Sequence, residues 1–382
     1  MTHKPLPHFL KKRMKEHYQD RFFNEWGGVH LLKIQSQLSK GLLLTSNDYL
    51  CLRSDKSLKL KPDDISADDM LMSSVFLNEN SLQSKVEREF SAFFNVNDTI
   101  LCQSGWAANT GLIQTLADET IPVYIDVLAH MSFHAGVRLA NAKSYVFAHN
   151  NARSARKKIM QYGQGIIVVD SVYSTNGSLC PLNDFAALAN ELDCILVVDE
   201  SHSAGTHGPE GRGVINGLKL NQNIDFITVS LAKGFAGRAG LITCTSEFKE
   251  YFLHESYPSI FSSALMSHDL AWLINAVPAV IDADMKRKRL HENARQLRER
   301  LSHLGYHVSS GTEQIIAVEV GSEPEVQKLQ NKLQLKGVHG SVFCYPATTK
   351  NKALIRLTIN SNLTDPDISK IAEAFKTSLS SV

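Results

Sequence analysis

The chain of 382 residues predicts an α/β fold: a large domain on a mostly parallel sheet, a smaller C-terminal α+β domain and an N-terminal arm. Three observations predict it. Short β-rich runs alternate with helical stretches between about residues 70 and 260, the order that builds a parallel sheet from βαβ units. Two of the runs, Ile166-Ile167-Val168-Val169 and Cys194-Ile195-Leu196-Val197-Val198, are apolar without interruption, as strands are when both faces are covered. After residue 304 the pattern changes to strands mixed with helices. The expected division is an arm and small-domain segment at 1–60, the large domain at 61–265, and a linking helix with the small domain at 266–382.

The elements follow in order. Residues 1–40 read as a polar, helical arm. Leu42-Leu43-Leu44 is an apolar run that ends in the turn signal Ser46-Asn47-Asp48, and 54–69 is charged and loop-like. Apolar spacing predicts an amphipathic helix over 80–94. Strands are expected at 99–102, 123–125, 144–147, 166–169, 194–198, 226–229 and 241–244, with helices near 106–117, 130–140 and 151–162. One long helical stretch is expected over 265–303, its basic run Lys286-Arg287-Lys288-Arg289 facing water. Strands at 314–320 and 354–358 and helices at 324–335 and 365–379 complete the chain.

Composition narrows the function. Net charge is +1, from 40 basic and 39 acidic residues, which gives no electrostatic reason to expect nucleic acid or an anionic membrane surface. No apolar run approaches the length of a membrane span, and the N-terminal stretch lacks the apolar segment of a secretory signal. The six cysteines are scattered without a C-x-x-C pair, as expected of reduced thiols in a cytoplasmic protein.

Ligands of open α/β sheets sit beyond the carboxyl ends of the strands, so the polar residues there are the candidates. Lys233 follows a strand end and stands in a Gly/Ala-rich bend, where its amine can lose water and become a nucleophile toward a carbonyl. Asp199 ends a buried strand. A carboxylate there suits a protonated ring nitrogen, as in pyridoxal phosphate (PLP) enzymes, although a helix N-cap would use the same residue. His202, three residues on, can reach a phenolic oxygen. Ser104-Gly105-Trp106 follows a strand and opens a helix, and the free amides of a helix start bind phosphate. Ser230, Ser262 and Ser263 offer further phosphate donors, while Trp106 is also compatible with plain core. His130 can stack on a ring. With His134 it has the spacing of a helical zinc pair, but no third ligand is at hand, so no metal is expected.

Taken together, the motifs resemble a known family. Asn47-Asp48-Tyr49-Leu50, Ser104-Gly105-Trp106-Ala107-Ala108-Asn109, Ala129-His130-Met131-Ser132, Ser171-Val172-Tyr173-Ser174-Thr175-Asn176-Gly177, Val198-Asp199-Glu200-Ser201-His202-Ser203-Ala204-Gly205 and Ser230-Leu231-Ala232-Lys233-Gly234-Phe235 stand in the order of the α-oxoamine synthases. These are fold-type I PLP-dependent transferases, and the resemblance runs from about 40 to 375. It implies that Lys233 is the lysine that joins the cofactor, that Asp199 holds the pyridine nitrogen, and that His202 and Ser174 lie at the phenolic oxygen. It implies His130 on the ring face, with Gly105, Trp106, Ser230 and Ser262 or Ser263 at the phosphate. Arg356 matches the arginine that forks onto the substrate carboxylate, and Asn47 an asparagine at the substrate end.

The departures point to one branch. The glycine expected after Asn-Asp-Tyr-Leu is Cys51, and the usual Gly/Ser-rich stretch is Met72-Ser73-Ser74-Val75-Phe76-Leu77-Asn78-Glu79. Arg238 stands in a normally small, uncharged region, with contact to CoA or substrate or a salt bridge in the site wall as its two readings. With the 341–352 stretch, these features resemble the quorum-sensing autoinducer synthases. That implies a homodimer that condenses a medium-chain acyl-CoA with S-adenosylmethionine or 2-aminobutyrate, with decarboxylation. The alternatives are a general α-oxoamine synthase of biotin or threonine metabolism, or a non-catalytic partner subunit; such subunits typically lack the lysine that is present here as Lys233.

Overall fold

A computed structural model describes residues 4–28, 30–31, 41–59, 72–308 and 313–379. The expected loop at 54–69 and the helical arm at 1–40 therefore lie partly outside the described residues. Within the arm, helix His8–Glu16 continues into a π-type helix, His17–Glu25. The strands in chain order are β1 (Leu42–Leu44), β2 (Asp98–Cys102), β3 (Val123–Asp126), β4 (Ser144–Phe147), β5 (Ile166–Asp170), β6 (Ile195–Asp199), β7 (Phe226–Ser230), β8 (Gly240–Cys244), β9 (Ile315–Gly321), β10 (Val338–Phe343) and β11 (Ala353–Thr358).

The chain divides into two compact units: 1–46 with 293–359 and 363–382, and 47–292 with 360–362. Both expected boundaries, 60 and 265, fall inside the second unit. Helix Ser267–Ile281 packs on helix Leu82–Phe94 of that unit, which is why the linking stretch belongs to it.

The second unit carries a seven-stranded sheet in the order β2-β8-β7-β6-β5-β3-β4. Only β8 runs against the others. Ile166, Ile167, Val168 and Val169 of β5 are all fully buried, as a strand covered on both faces requires. One face packs Ile100, Ile125, Val168, Val197 and Ile242 against Leu112, Ile113, Phe133 and Phe252 of the helices. Each strand of the parallel run ends on the same edge, and each delivers a polar loop there.

The first unit carries a four-stranded sheet in the order β1-β10-β11-β9, with β1 parallel to β10 and the other pairs antiparallel. Sequence reasoning assigned no strand to β10. Its residues Val-His-Gly-Ser-Val-Phe lack a clear alternation, and pairing on both sides imposes the strand.

The stretch expected as one helix over 265–303 is two, Ser267–Ile281 and Asp284–His303. Arg287 caps the first helix at this break, and it does not face water as expected: it is buried. Its guanidinium donates to the carbonyls of Val280 and Ile281 at the end of the first helix and pairs with Asp284. A fork of donors thus satisfies the open carbonyls of a helix end. Cys51 occupies a left-handed backbone conformation (φ 55°), the geometry for which the family's glycine is suited. All six cysteines are free thiols.

Replacing Arg287 with alanine is expected to destabilise the fold by about 2 kcal/mol, because several charge-assisted bonds to buried acceptors are lost. Replacement with lysine should recover only part of this, since an ammonium cannot fork. Urea unfolding midpoints of the two variants and the parent check both statements.

Candidate active site

At the carboxyl edge of the large sheet, three loops are pressed into contact at places where a side chain would not fit. A Cβ on Gly105 would meet the Ser230 Cβ at 2.6 Å. A Cβ on Gly234, next to Lys233, would meet the Ala204 carbonyl oxygen at 2.3 Å, and one on Gly240 would meet the Ser104 carbonyl oxygen at 2.1 Å. These approaches gather the ends of β2, β6, β7 and β8 into one floor. Ser104 caps helix Gly105–Leu116, its hydroxyl accepting from the Ala107 amide, and the helix start lies beside Ser230. Ser201 Oγ accepts from the Ser230 amide at 2.6 Å, which ties the loop after β6 to β7.

Asp199 is buried at the end of β6. Its carboxylate accepts from the Ser201 amide and from Asn109 Nδ2, both at 2.8 Å. Asn109 also donates to Ser132 Oγ at 3.0 Å, and Ser132 Oγ lies 2.7 Å from His130 Nδ1. Loss of hydration pushes the His130 imidazole below its ordinary pKa; Asp199 opposes the shift and Lys233 adds to it. One imidazole therefore senses both charges, which brings His130, Asp199 and Lys233 into one neighbourhood. The loop carrying His130 is built by Asp126, whose carboxylate accepts from the Leu128 and Asn150 amides and pairs with His149. Asp170, at the end of β5, accepts from the His130 amide.

His202 is also buried, and its Nδ1 lies 2.5 Å from the hydroxyl of Tyr49. Tyr49 in turn reaches Asn47 Oδ1 at 3.5 Å, so Asn47, Tyr49 and His202 form a short chain. Ser174 is half-buried in the turn after β5. Trp106 is not core: half of its surface is exposed, with its ring edge-on to His130. Ser262 and Ser263 are exposed. The Ser263 carbonyl accepts from Gln103 beyond β2, and Ser263 bridges to Ser73 in the stretch that departs from the family pattern. Arg238 is exposed and close enough to Asp269 to pull its carboxyl down, although burial keeps that carboxyl above its ordinary pKa. Arg356 belongs to the other unit. It is buried in β11 opposite Ser341, its guanidinium 4.6 Å from the centre of the Phe343 ring.

The sequence reading missed the supporting residues. Asn109, Ser132 and Tyr49 stood in motifs without a role. The available signal was spacing: Asn109 lies four residues after Gly105, on the same helix face.

The family model described as aminotransferase class I and II matches residues 39–375. The chain belongs to this family. It is 40% identical over 374 residues to the CAI-1 autoinducer synthase of Vibrio campbellii, covering 97% of this chain and 95% of that one. It is 32% identical over 297 residues to the 2-amino-3-ketobutyrate coenzyme A ligase of Escherichia coli, covering 76% and 75%. Among solved structures it resembles serine palmitoyltransferase of S. paucimobilis with a TM-score of 0.87 at 24% identity, covering 97% and 98%. Against 8-amino-7-oxononanoate synthase of Francisella tularensis the TM-score is 0.77 at 24% identity, covering 89% and 98%. The fold is that of the fold-type I transferases, and the chain is a PLP-dependent enzyme of the α-oxoamine synthase type.

The residues at the sheet edge fit that cofactor chemically. A helix start with a capping serine and an adjacent Ser230 suits a phosphate dianion. A buried carboxylate suits a ring N–H, and a half-buried lysine suits an aldehyde. Among the described residues, no helix is long and apolar enough to cross a membrane.

Glu200 supports the same floor from beneath. It is fully buried; Oε1 accepts from Ser203 Oγ and the Ile215 amide, each at 3.0 Å, and the Val214 amide also bears on the carboxyl. Burial pushes its carboxyl from 4.5 up to about 7, against the bonds from Ile215, Ser203 and Val214 and with a small addition from Asp199. The folded state thus holds this proton more tightly than the unfolded one. Its contribution to stability is full below the unfolded value and is lost as pH rises through about 7. Glu200→Gln should therefore gain on the parent by about 2–3 kcal/mol between pH 5 and pH 8. Urea unfolding at both pH values reads this difference directly.

Proposed function

We propose that the protein is an autoinducer synthase that joins a medium-chain acyl group to an amino acid with loss of carbon dioxide, giving an α-aminoketone. The observation that carries this reading is the 40% identity to the CAI-1 autoinducer synthase across 97% of the chain. The gathered strand-edge residues supply the matching chemistry. S-adenosylmethionine or 2-aminobutyrate is the proposed amino donor, and an acyl-CoA the acyl donor. The working form is a homodimer in the cytoplasm.

When bound, PLP supplies an electron sink for the carbanion formed at the amino-acid Cα. Asp199 is proposed to keep the ring nitrogen protonated, with its own geometry fixed by Ser201 and Asn109. His202, braced by Tyr49, and Ser174 are assigned to the phenolic oxygen, and His130 to the ring face. The amides of Gly105 and Trp106, with Ser104 and Ser230, are assigned to the phosphate, and Ser262 or Ser263 to the same group from the partner subunit. Lys233 is proposed to hold the cofactor covalently, to be released when the substrate amino group takes its place, and then as a free amine to take the Cα proton.

Arg356 is assigned to the substrate carboxylate, Asn47 to the substrate end and Arg238 to CoA or substrate, on their places in the motifs. In the condensation the new C–C bond forms at the thioester carbonyl and the C–S bond breaks. The CoA thiol leaves, and the carboxylate departs as carbon dioxide. With S-adenosylmethionine, elimination of methylthioadenosine precedes acylation, and the aminoketone formed is unsaturated, two hydrogens short of that from 2-aminobutyrate.

Lys233→Ala should reduce turnover by at least a thousandfold, because covalent capture and proton transfer fall on one amine. Product masses, with each candidate amino acid supplied in turn with octanoyl- or decanoyl-CoA, test the substrate reading. Products from S-adenosylmethionine or 2-aminobutyrate support it; products only from glycine or alanine would move the enzyme to the biotin or threonine branch.

A further inference from the structure

At the strand-edge site, three side chains form a chain of hydrogen bonds in which Asn109 is the donor at one end. Asn109 is 2% exposed, and its Nδ2 serves Asp199 Oδ2 at 2.8 Å and Ser132 Oγ at 3.0 Å. The carboxylate dictates this orientation of the amide, since turning Oδ1 toward Asp199 would set two acceptors together. An amide nitrogen only donates, so Ser132 Oγ accepts from Asn109 and must send its own proton elsewhere. The available acceptor is His130 Nδ1, 2.7 Å away, which the Ser132 backbone amide also approaches at 3.4 Å. A ring nitrogen that faces two donors carries no proton.

We propose that Asn109 and Ser132 are positioning residues that read the ionised Asp199 carboxylate and hold His130 as the neutral tautomer protonated on Nε2. The arrangement has a cost. Asn109 Oδ1 is buried without a hydrogen-bond partner among the described residues, a penalty an apolar residue of similar size would avoid. Asn109 is thus suited to directing the bonds of its neighbours rather than to filling space. Two nearby charges, Asp199 and Lys233, act on the imidazole in opposite senses. Asp170 holds its backbone amide, and Trp106 presents a ring edge. Loss of hydration favours the uncharged ring, in agreement with the bond directions.

The consequence deepens the cofactor reading and rests on it. A neutral imidazole beside the cofactor ring does not repel a protonated ring nitrogen, so Asp199 can keep that nitrogen charged. A cationic His130 would oppose it.

The test is ¹⁵N NMR of the full chain labelled at histidine, as purified with PLP and again after its removal. The His130 signals are identified by their loss in His130→Gln. The expected parent spectrum shows Nδ1 unprotonated and Nε2 protonated near neutral pH. Ser132→Ala and Asn109→Leu should each make His130 at least tenfold easier to protonate, an upward shift of one pH unit or more. Ser132→Thr, which keeps the hydroxyl, should restore the parent titration. In the loaded enzyme the same two variants should lower kcat more than they raise KM.

A parent His130 protonated on Nδ1, or an unchanged titration in a folded Ser132→Ala, overturns the proposal. If Asn109→Leu does not fold, Ser132→Ala decides, because it removes one atom from a small residue. Failure to take up PLP would count against the cofactor reading alone, because the cofactor-free titration still reads the chain of bonds.

Discussion

The site depends on how closely the strand-end loops approach one another. Gly105 against Ser230, Gly234 against Ala204 and Gly240 against the Ser104 carbonyl leave less than the room of one methyl group. A parallel sheet spaces its strands regularly and delivers every loop to one edge, but it does not by itself press those loops together. The glycines do that. They allow a helix start, a buried carboxylate and the loop that carries Lys233 to meet at one edge of the sheet.

Convergence also explains the electrostatics. The carboxyl group of Asp199 is buried, and its desolvation is offset by bonds from the Ser201 amide and Asn109 Nδ2. That leaves the carboxylate able to serve a ring N–H. Both histidines of the site are braced from behind, His202 by Tyr49 and His130 by Ser132, so each presents its remaining edge in a defined direction. The family supplies the cofactor chemistry; this chain supplies the hydrogen-bond directions.

Most of the large unit was legible in the sequence because its strands are apolar runs and its helices have a strong period. The expected strand at 144–147 coincides with β4, and the strand-end rule led to Lys233, Asp199, His202 and His130. What stayed hidden depends on long-range contact. The strand character of β10 comes from its neighbours on either side. The helix end at Ile281 is capped by Arg287, which in the sequence is one of four adjacent basic residues. Asn109 acquires its role from Ser132 and Asp199, 23 and 90 residues away, and no local pattern marks such a pairing.

The most direct test of the central claim, that the gathered strand ends hold PLP through Lys233, is chemical. The purified full-length chain is reduced with borohydride, digested and mapped by mass spectrometry for the lysine that retains the cofactor. The account predicts a single modified peptide, carrying the added mass on Lys233. Modification at a different lysine, or none after incubation with PLP, would contradict it.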